Sequence, residues 1–186
     1  MTKTTLFQDD LIARCRKGDQ RAQLEIYYKY YKAMYNTALR IVNDTAEAED
    51  IMQEAFIKAF SKIHTFEGKS TFGAWIKKIV VNLSINSFNK RSKYDQVSYE
   101  DQFKKEITED EGIDLEENAE NTKIRQIMKA LHSLKEKYRI ILSLHLIEGF
   151  DYDEICEILK ISPVNARTTI SRAKESLRYK LLQNEK

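Results

Sequence analysis

A single proline, Pro163, and only five glycines interrupt this chain of 186 residues. Proline and glycine are the residues that most reliably end helices and shape tight strand turns. Between them lie mostly Lys, Glu, Leu, Ile and Ala, which favour helix over strand. A chain so poor in breakers is confined to long helices with few sharp corners, and the expected fold class is all-α. Its 42% apolar content is enough for a packed core in one ordinary domain or two small ones.

Several classes drop out early. Residues 1–10, MTKTTLFQDD, lack the apolar stretch of a signal peptide. No segment approaches the ~20 apolar residues of a membrane span. No membrane insertion and a cytoplasmic location are expected. Cys15 and Cys156 lie far apart, each inside a helical pattern, and read as small core residues. His64, His132 and His145 show no ligand spacing, so no metal and no cofactor is expected. There is no phosphate-binding glycine loop and no nucleophile–base pair, so no catalytic residue is expected and the chain does not read as an enzyme.

The net charge of +2 hides a pattern. Residues 1–94 carry 16 basic and 10 acidic groups, net +6. Residues 95–121 carry 2 basic and 11 acidic, net −9, and residues 122–186 carry 13 basic and 8 acidic, net +5. The middle stretch has few apolar residues and no clean periodicity, so it reads as an acidic flexible linker. It divides the chain into an N-terminal domain, 1–94, and a C-terminal domain, 122–186. Two basic domains suit a polyanion such as DNA, or are simply solvated helix surface.

Four helices are expected in the first domain, over about 8–17, 20–43, 44–63 and 71–91. The second carries Leu24, Tyr27, Tyr28, Tyr31, Met34, Tyr35, Ala38, Ile41 and Val42 at helical spacing, which predicts a buried stripe. Asp44 and Glu47 form a capping-box pattern at the start of the third. That helix would bury Met52, Phe56, Ala59, Phe60 and Ile63. The fourth would run through Phe72, Trp75, Ile76, Ile79, Val80 and Leu83.

Four shorter helices are expected in the second domain, over about 122–132, 135–147, 151–159 and 163–182. Asp151 with Glu154 makes a second capping box, and Tyr152, Ile155, Cys156 and Leu159 form one stripe. The turn Lys160-Ile161-Ser162 follows; Ser162 can cap the last helix, and Pro163 occupies its first position, where a missing N–H costs nothing. Two short helices across such a turn form a helix-turn-helix pattern. On the last helix Ala166, Ile170, Ala173 and Leu177 share a narrow stripe, with Val164, Arg167, Thr168, Ser171 and Arg172 on the other side. The arrangement fits a recognition helix, or an ordinary amphipathic one.

Three segments together resemble sigma factors of the extracytoplasmic-function group, the smallest members of the bacterial sigma-70 family. The resemblance spans about 8–94 and 122–182. The segment AEDIMQEAFIKAF (48–60) resembles the helix that docks on a coiled coil of the largest catalytic subunit of RNA polymerase core. The resemblance implies Asp50, Gln53, Glu54 and Lys58 as core-polymerase contacts; their spacing puts them on one polar face. The segment FEGKSTFGAWIKKIVVNLSINSFNKR (66–91) resembles the loop and helix that capture an extruded minus-ten base and hold the melting strand. This implies minus-ten contacts from Lys69, Ser70, Thr71 and Phe72 in the loop, and from Lys77, Lys78, Asn82, Asn86, Lys90 and Arg91 along the helix. Gly68 allows the tight bend the loop needs. Trp75 reads as core; Phe72 fits core or DNA. The third segment, 136–178, resembles the minus-thirty-five reader, and implies DNA contacts from Arg167, Thr168, Ser171 and Arg172, with Lys174 on phosphate.

The chain also departs from the family pattern. Lys160 stands where Gly is frequent, and a left-handed Lys would cost about 1 kcal/mol more. Val164, Asn165 and Ala166 replace a Gly-Thr-Val run, Thr169 stands where Arg is frequent, Asn86 where Asp is common and Gln23 where Phe is common. The minus-thirty-five sequence is therefore not predictable by analogy. The acidic linker suits a basic channel built for RNA, or is a solubilising spacer.

The resemblance implies a sigma factor that directs core polymerase to promoter DNA, with an anti-sigma factor as a further partner. The alternative is a stand-alone helix-turn-helix regulator, against which the 48–60 helix argues.

Overall fold

The computed structural model describes residues 3–95 and 119–184, all of them helical or connecting helices. The chain divides into two units, Met1–Phe88 and Asn89–Lys186. The linker expected at 95–121 lies outside the described residues except at its ends: one helix extends to Asp95 and the next begins at Ala119.

The first unit is built from α1 (Lys3–Arg16), α2 (Gln20–Val42), α3 (Thr45–Ser61), a short tight turn at Ile63–Thr65, and α4 (Phe72–Asp95) as far as Phe88. α1 starts earlier than the periodicity predicts; its apolar contribution is Leu11, Ile12 and Cys15. Burial pushes the Cys15 thiol up to about 11, so it behaves as an inert apolar group. Asp19 opens α2 by accepting from the amides of Arg21 and Ala22, and it holds the Arg14 guanidinium at 2.8 Å. Asn43 closes α2 in the left-handed region, and Asp44 caps α3 at the amide of Glu47, 3.0 Å away. Asp44 makes its half of the expected capping box. The Glu47 carboxylate accepts from Ser87 Oγ on α4 at 2.5 Å, which ties two helices together.

The core of this unit is rotated relative to the sequence expectation. On α2 the buried residues are Ala22, Ile26, Met34, Thr37, Ala38, Ile41 and Val42. Leu24 (50% exposed) and Tyr28 (65% exposed) lie outside, and Tyr27, Tyr31 and Tyr35 are half-buried. Met34, Ala38, Ile41 and Val42 are buried as the stripe predicts; Ala22, Ile26 and Thr37 join them where it placed nothing, and the small Ala22, Thr37 and Ala38 suit the packing of α2 against α1 and α3. Thr37 is acceptable there because its hydroxyl donates to the Ala33 carbonyl at 3.0 Å. On α3, Phe60 is half-buried while Met52, Phe56, Ala59 and the following Ile63 are buried as expected.

The second unit contains α5 (Ala119–His132), α6 (Glu136–Leu142), a wide turn at Ser143–Ile147, α7 (Tyr152–Leu159) and α8 (Pro163–Asn184). α8 packs against α5, α6 and α7 in turn. The helix expected over 135–147 changes character at Ser143: the Glu148 amide donates to the Ser143 carbonyl, five residues back, at 2.9 Å. This π-type turn buries Ser143 and Leu144 and leaves Ser143 Oγ unpaired. The His145 ring then lies 5.1 Å from that of Tyr152, at the start of α7. Arg139 is buried, and burial pushes its pKa down, opposed by the nearby charge of Glu136.

Candidate nucleic-acid interface

In the second unit, the path from α7 into α8 is set by four local devices. Asp151 and Glu154 complete the expected capping box: Glu154 N donates to Asp151 Oδ1 at 2.8 Å, and Asp151 N donates to Glu154 Oε2 at 3.2 Å. Lys160 takes the left-handed conformation (φ 54°, ψ 47°), and its amide donates to the Cys156 carbonyl. The Ile161 amide shares that acceptor at 3.1 Å. Ser162 Oγ then accepts from Asn165 N at 3.3 Å, and Pro163 begins α8.

This corner aims one face of α8 inward and the other into solvent. Ala166, Thr169, Ile170 and Ala173 are buried; Leu177 is half-buried. Arg167, Thr168, Ser171 and Arg172 are exposed, as is Val164, and Lys174 is half-buried. All five expected minus-thirty-five residues thus fall on or beside one accessible face. Thr168 Oγ1 donates to the Val164 carbonyl at 2.8 Å, so its hydroxyl hydrogen is engaged within the helix. Sequence reasoning missed the pairing of Thr169 Oγ1 with Asn165 Oδ1, at 3.0 Å. The i, i+4 spacing was the available signal.

In the first unit, the segment from Phe66 to Thr71 joins the short turn to α4. Gly68 has φ +75°, the left-handed bend expected of it. Lys69, Ser70 and Thr71 are exposed. Lys69 Nζ pairs with Glu67 at 2.5 Å, and Thr71 is the N-cap of α4, its Oγ1 accepting from Ala74 N at 3.2 Å. Phe72, which the sequence left between core and DNA contact, is 1% exposed and packs in the core. Its ring meets Tyr30 at 5.6 Å, Phe66 at 5.7 Å and Trp75 at 5.5 Å, and this aromatic floor supports the loop from below. Trp75 is half-buried. Gly73 admits Tyr30 to this floor, since a Cβ there would lie 2.9 Å from Tyr30 Cε1. Arg16, at the end of α1, adds a strap that the sequence did not announce. Its Nη2 donates to the Phe66 carbonyl, and its Nε reaches the Ile63 carbonyl at 3.5 Å.

Along α4, Lys78, Asn82, Asn86 and Lys90 are exposed at intervals of four, forming one polar row; Lys77 and Arg91 are half-buried. On α3, Asp50, Gln53 and Glu54 are exposed and Lys58 is half-buried. Lys58 Nζ pairs with Glu54 at 2.6 Å, and Gln53 Nε2 donates to Glu49 at 3.2 Å. Exposed Ile57 adjoins this row, and Phe56 meets Tyr27 on α2 at 4.9 Å. Among the described residues no cluster of His, Cys, Asp or Glu could hold a metal ion, and no helix is long and apolar enough to cross a membrane.

Two family models match the chain, one in each unit's helical stretch. The Sigma-70 region 2 model covers residues 26–94 and the Sigma-70 region 4 model covers 124–177. The ECF RNA polymerase sigma factor SigW of Bacillus subtilis is 32% identical over 91% of this chain and 94% of its own. The ECF RNA polymerase sigma-E factor of Escherichia coli is 31% identical over 92% of each chain. Among solved structures, the sigma factor RpoE of Bartonella quintana, in complex with the anti-sigma factor NepR, shares the fold. Its TM-score is 0.58 at 23% identity, over 87% of this chain and 97% of that one. These matches define a class of all-α transcription initiation proteins built from region 2 and region 4. Within it, this chain belongs to the extracytoplasmic-function group of sigma-70 factors, and is an RNA polymerase sigma factor.

Proposed function

We propose that the three exposed faces divide the work of promoter recognition, with residues 1–94 acting as the core- and minus-ten-binding domain and 122–186 as the minus-thirty-five-binding domain. The observation that carries this reading is the placement of Arg167, Thr168, Ser171 and Arg172 on the outward face of a capped helix-turn-helix. Side chains at the start of such a helix reach base edges in the major groove, and flanking cations hold phosphates. Lys174 takes the phosphate role. On α3, the row Asp50, Gln53, Glu54 and Lys58 docks on RNA polymerase core.

The minus-ten element is held by the loop and by α4. Lys69, Ser70 and Thr71 line the exposed loop above the Phe66–Phe72–Trp75 floor. Lys77, Lys78, Asn82, Asn86, Lys90 and Arg91 track the separated strand along α4. Taking a base out of the stack costs on the order of a few kcal/mol, which contacts made only to the unwound strand must offset. Promoter opening therefore draws on binding free energy, and the chain performs no bond chemistry itself. The acidic segment 95–121 connects the two readers. The complex of the Bartonella quintana relative with an anti-sigma factor supports an anti-sigma partner here as well.

The test is reconstitution. The purified chain is mixed with core polymerase and assayed for comigration and for promoter-dependent transcription. Both are expected. DNA binding without a core complex would instead favour a stand-alone helix-turn-helix regulator.

A further inference from the structure

Asn165 is exposed in the first turn of α8, one turn before the buried Thr169. An exposed asparagine ordinarily samples several rotamers, and ordering one on binding costs roughly 0.5–1.5 kcal/mol. Here the side chain is already held. Thr169, one turn further on and 4% exposed, donates its hydroxyl hydrogen to Asn165 Oδ1 at 3.0 Å. The backbone beneath it is fixed as well, the Asn165 main-chain N–H donating to Ser162 Oγ at 3.3 Å.

We infer that Asn165 is a specificity-determining residue of the minus-thirty-five reader, oriented by Thr169 to present its Nδ2 donors to an acceptor edge, guanine N7 and O6, in the major groove. The inference rests on the reading of α8 as the minus-thirty-five helix. A freely rotating asparagine pairs best with adenine, accepting from N6 through Oδ1 while donating to N7. Thr169 takes one of the two Oδ1 lone pairs and fixes the plane of the amide, so the acceptor half of that pairing is weakened while the donor half is untouched. Guanine offers two acceptors and no donor on the same edge, and becomes the better partner. Thr169 does not touch DNA in this scheme. It acts through Asn165, and its own methyl and Oγ1 stay in the helix-turn-helix core.

The experiment uses holoenzyme reconstituted from core polymerase and the full chain. A promoter is first selected by the wild-type holoenzyme from a randomised DNA pool. Its minus-thirty-five element is then randomised, and bound sequences are counted. Wild type is expected to favour guanine over adenine at one base pair next to the pairs sensitive to Arg167→Ala. Asn165→Ala is expected to lower that ratio by roughly fivefold, the worth of one hydrogen bond, and leave the other positions unchanged. Thr169→Val should raise adenine at the same position, and Thr169→Ser should restore the wild-type ratio. Thermal unfolding of each variant identifies any that merely fails to fold. An unchanged ratio in Asn165→Ala overturns the inference, as does an equal loss on every sequence, which marks a phosphate contact. If wild type shows no preference anywhere in the element, the reading of α8 falls together with it. If preferences exist and respond to Arg172→Ala but not to Asn165→Ala, the inference alone falls.

Discussion

The guanidinium of Arg16 donates to the main-chain carbonyl of Phe66, fifty residues further along the chain. Phe66 opens the loop that carries Lys69, Ser70 and Thr71, and its ring packs on Phe72 and Trp75. Loop geometry is thereby fixed at the main chain by α1 and at the side chain by α4. An arginine at the end of α1 thus sets where the three residues proposed for minus-ten contact stand.

Arg16→Ala is expected to loosen the loop. Amide hydrogen exchange of the free protein should quicken at 67–71, while the amides of α3 and the middle of α4 keep their protection. Opening of a minus-ten element should fall several-fold with little change in minus-thirty-five binding. Unchanged exchange at 67–71 would show that the strap carries no weight.

Lys160→Gly should stabilise the second unit. Lys160 sits at φ 54°, where a Cβ costs on the order of 1 kcal/mol. Chemical denaturation monitored by circular dichroism should show a gain of ~0.5–1 kcal/mol, less than the full strain because glycine also loosens the unfolded chain. A loss of stability would mean that the Lys160 side chain contributes contacts outweighing its backbone strain.

The corner between α1 and α2 should be acid-sensitive. The Arg14 guanidinium and the amides of Ala22 and Arg21 hold the Asp19 carboxyl below its ordinary pKa. A depressed carboxyl stabilises the fold above the unfolded pKa and loses that contribution as pH falls through the folded one. The group is exposed to solvent and salt, so the effect is small. Asp19→Asn keeps an N-cap and removes the charge. Its melting temperature should therefore vary less than that of wild type as pH is lowered through the carboxylate range. Identical pH profiles would remove Asp19 from the acid response.

On α3, replacing Asp50 and Gln53 together by Ala should weaken comigration with core polymerase, by about tenfold if the two contacts are worth ~1.4 kcal/mol together. Both side chains are exposed, so folding should be unaffected. Minus-thirty-five DNA binding by the free chain should also persist. Equal loss of DNA and core binding would point to unfolding and refute the assignment.

The helices were legible because their signals are local. Asp44, Asp151, Ser162 and Pro163 announce helix starts through chemistry confined to three or four residues. The outward face of α8 followed from the same arithmetic, since Ala166, Ile170 and Ala173 are too regularly spaced to lie anywhere but inward. The face of α2 was misread because periodicity reports a direction but not which neighbour lies there. Tyr27, Tyr28 and Tyr31 look like core by size, yet Ala22, Ile26 and Thr37 are buried beside Met34, Ala38, Ile41 and Val42. Phe72 was ambiguous for the same reason: only the positions of Tyr30, Phe66 and Trp75 decide whether a loop-edge phenylalanine points in or out. Arg16 was invisible because its partners are carbonyls of distant residues, and main-chain acceptors leave no mark in a sequence.

The aromatic floor gives the protein an optical handle. Trp75 is the only indole in the chain, and its ring lies 5.4 Å from that of Phe66, directly beneath the segment that bears Lys69, Ser70 and Thr71. A half-buried indole responds to changes in local polarity and to stacking quenchers such as nucleobases. Emission excited at the red edge, where the ten tyrosines do not absorb, therefore comes from a single site beside the loop proposed to hold the minus-ten element. Loop occupancy and its time course can be followed in the unlabelled protein by its own fluorescence.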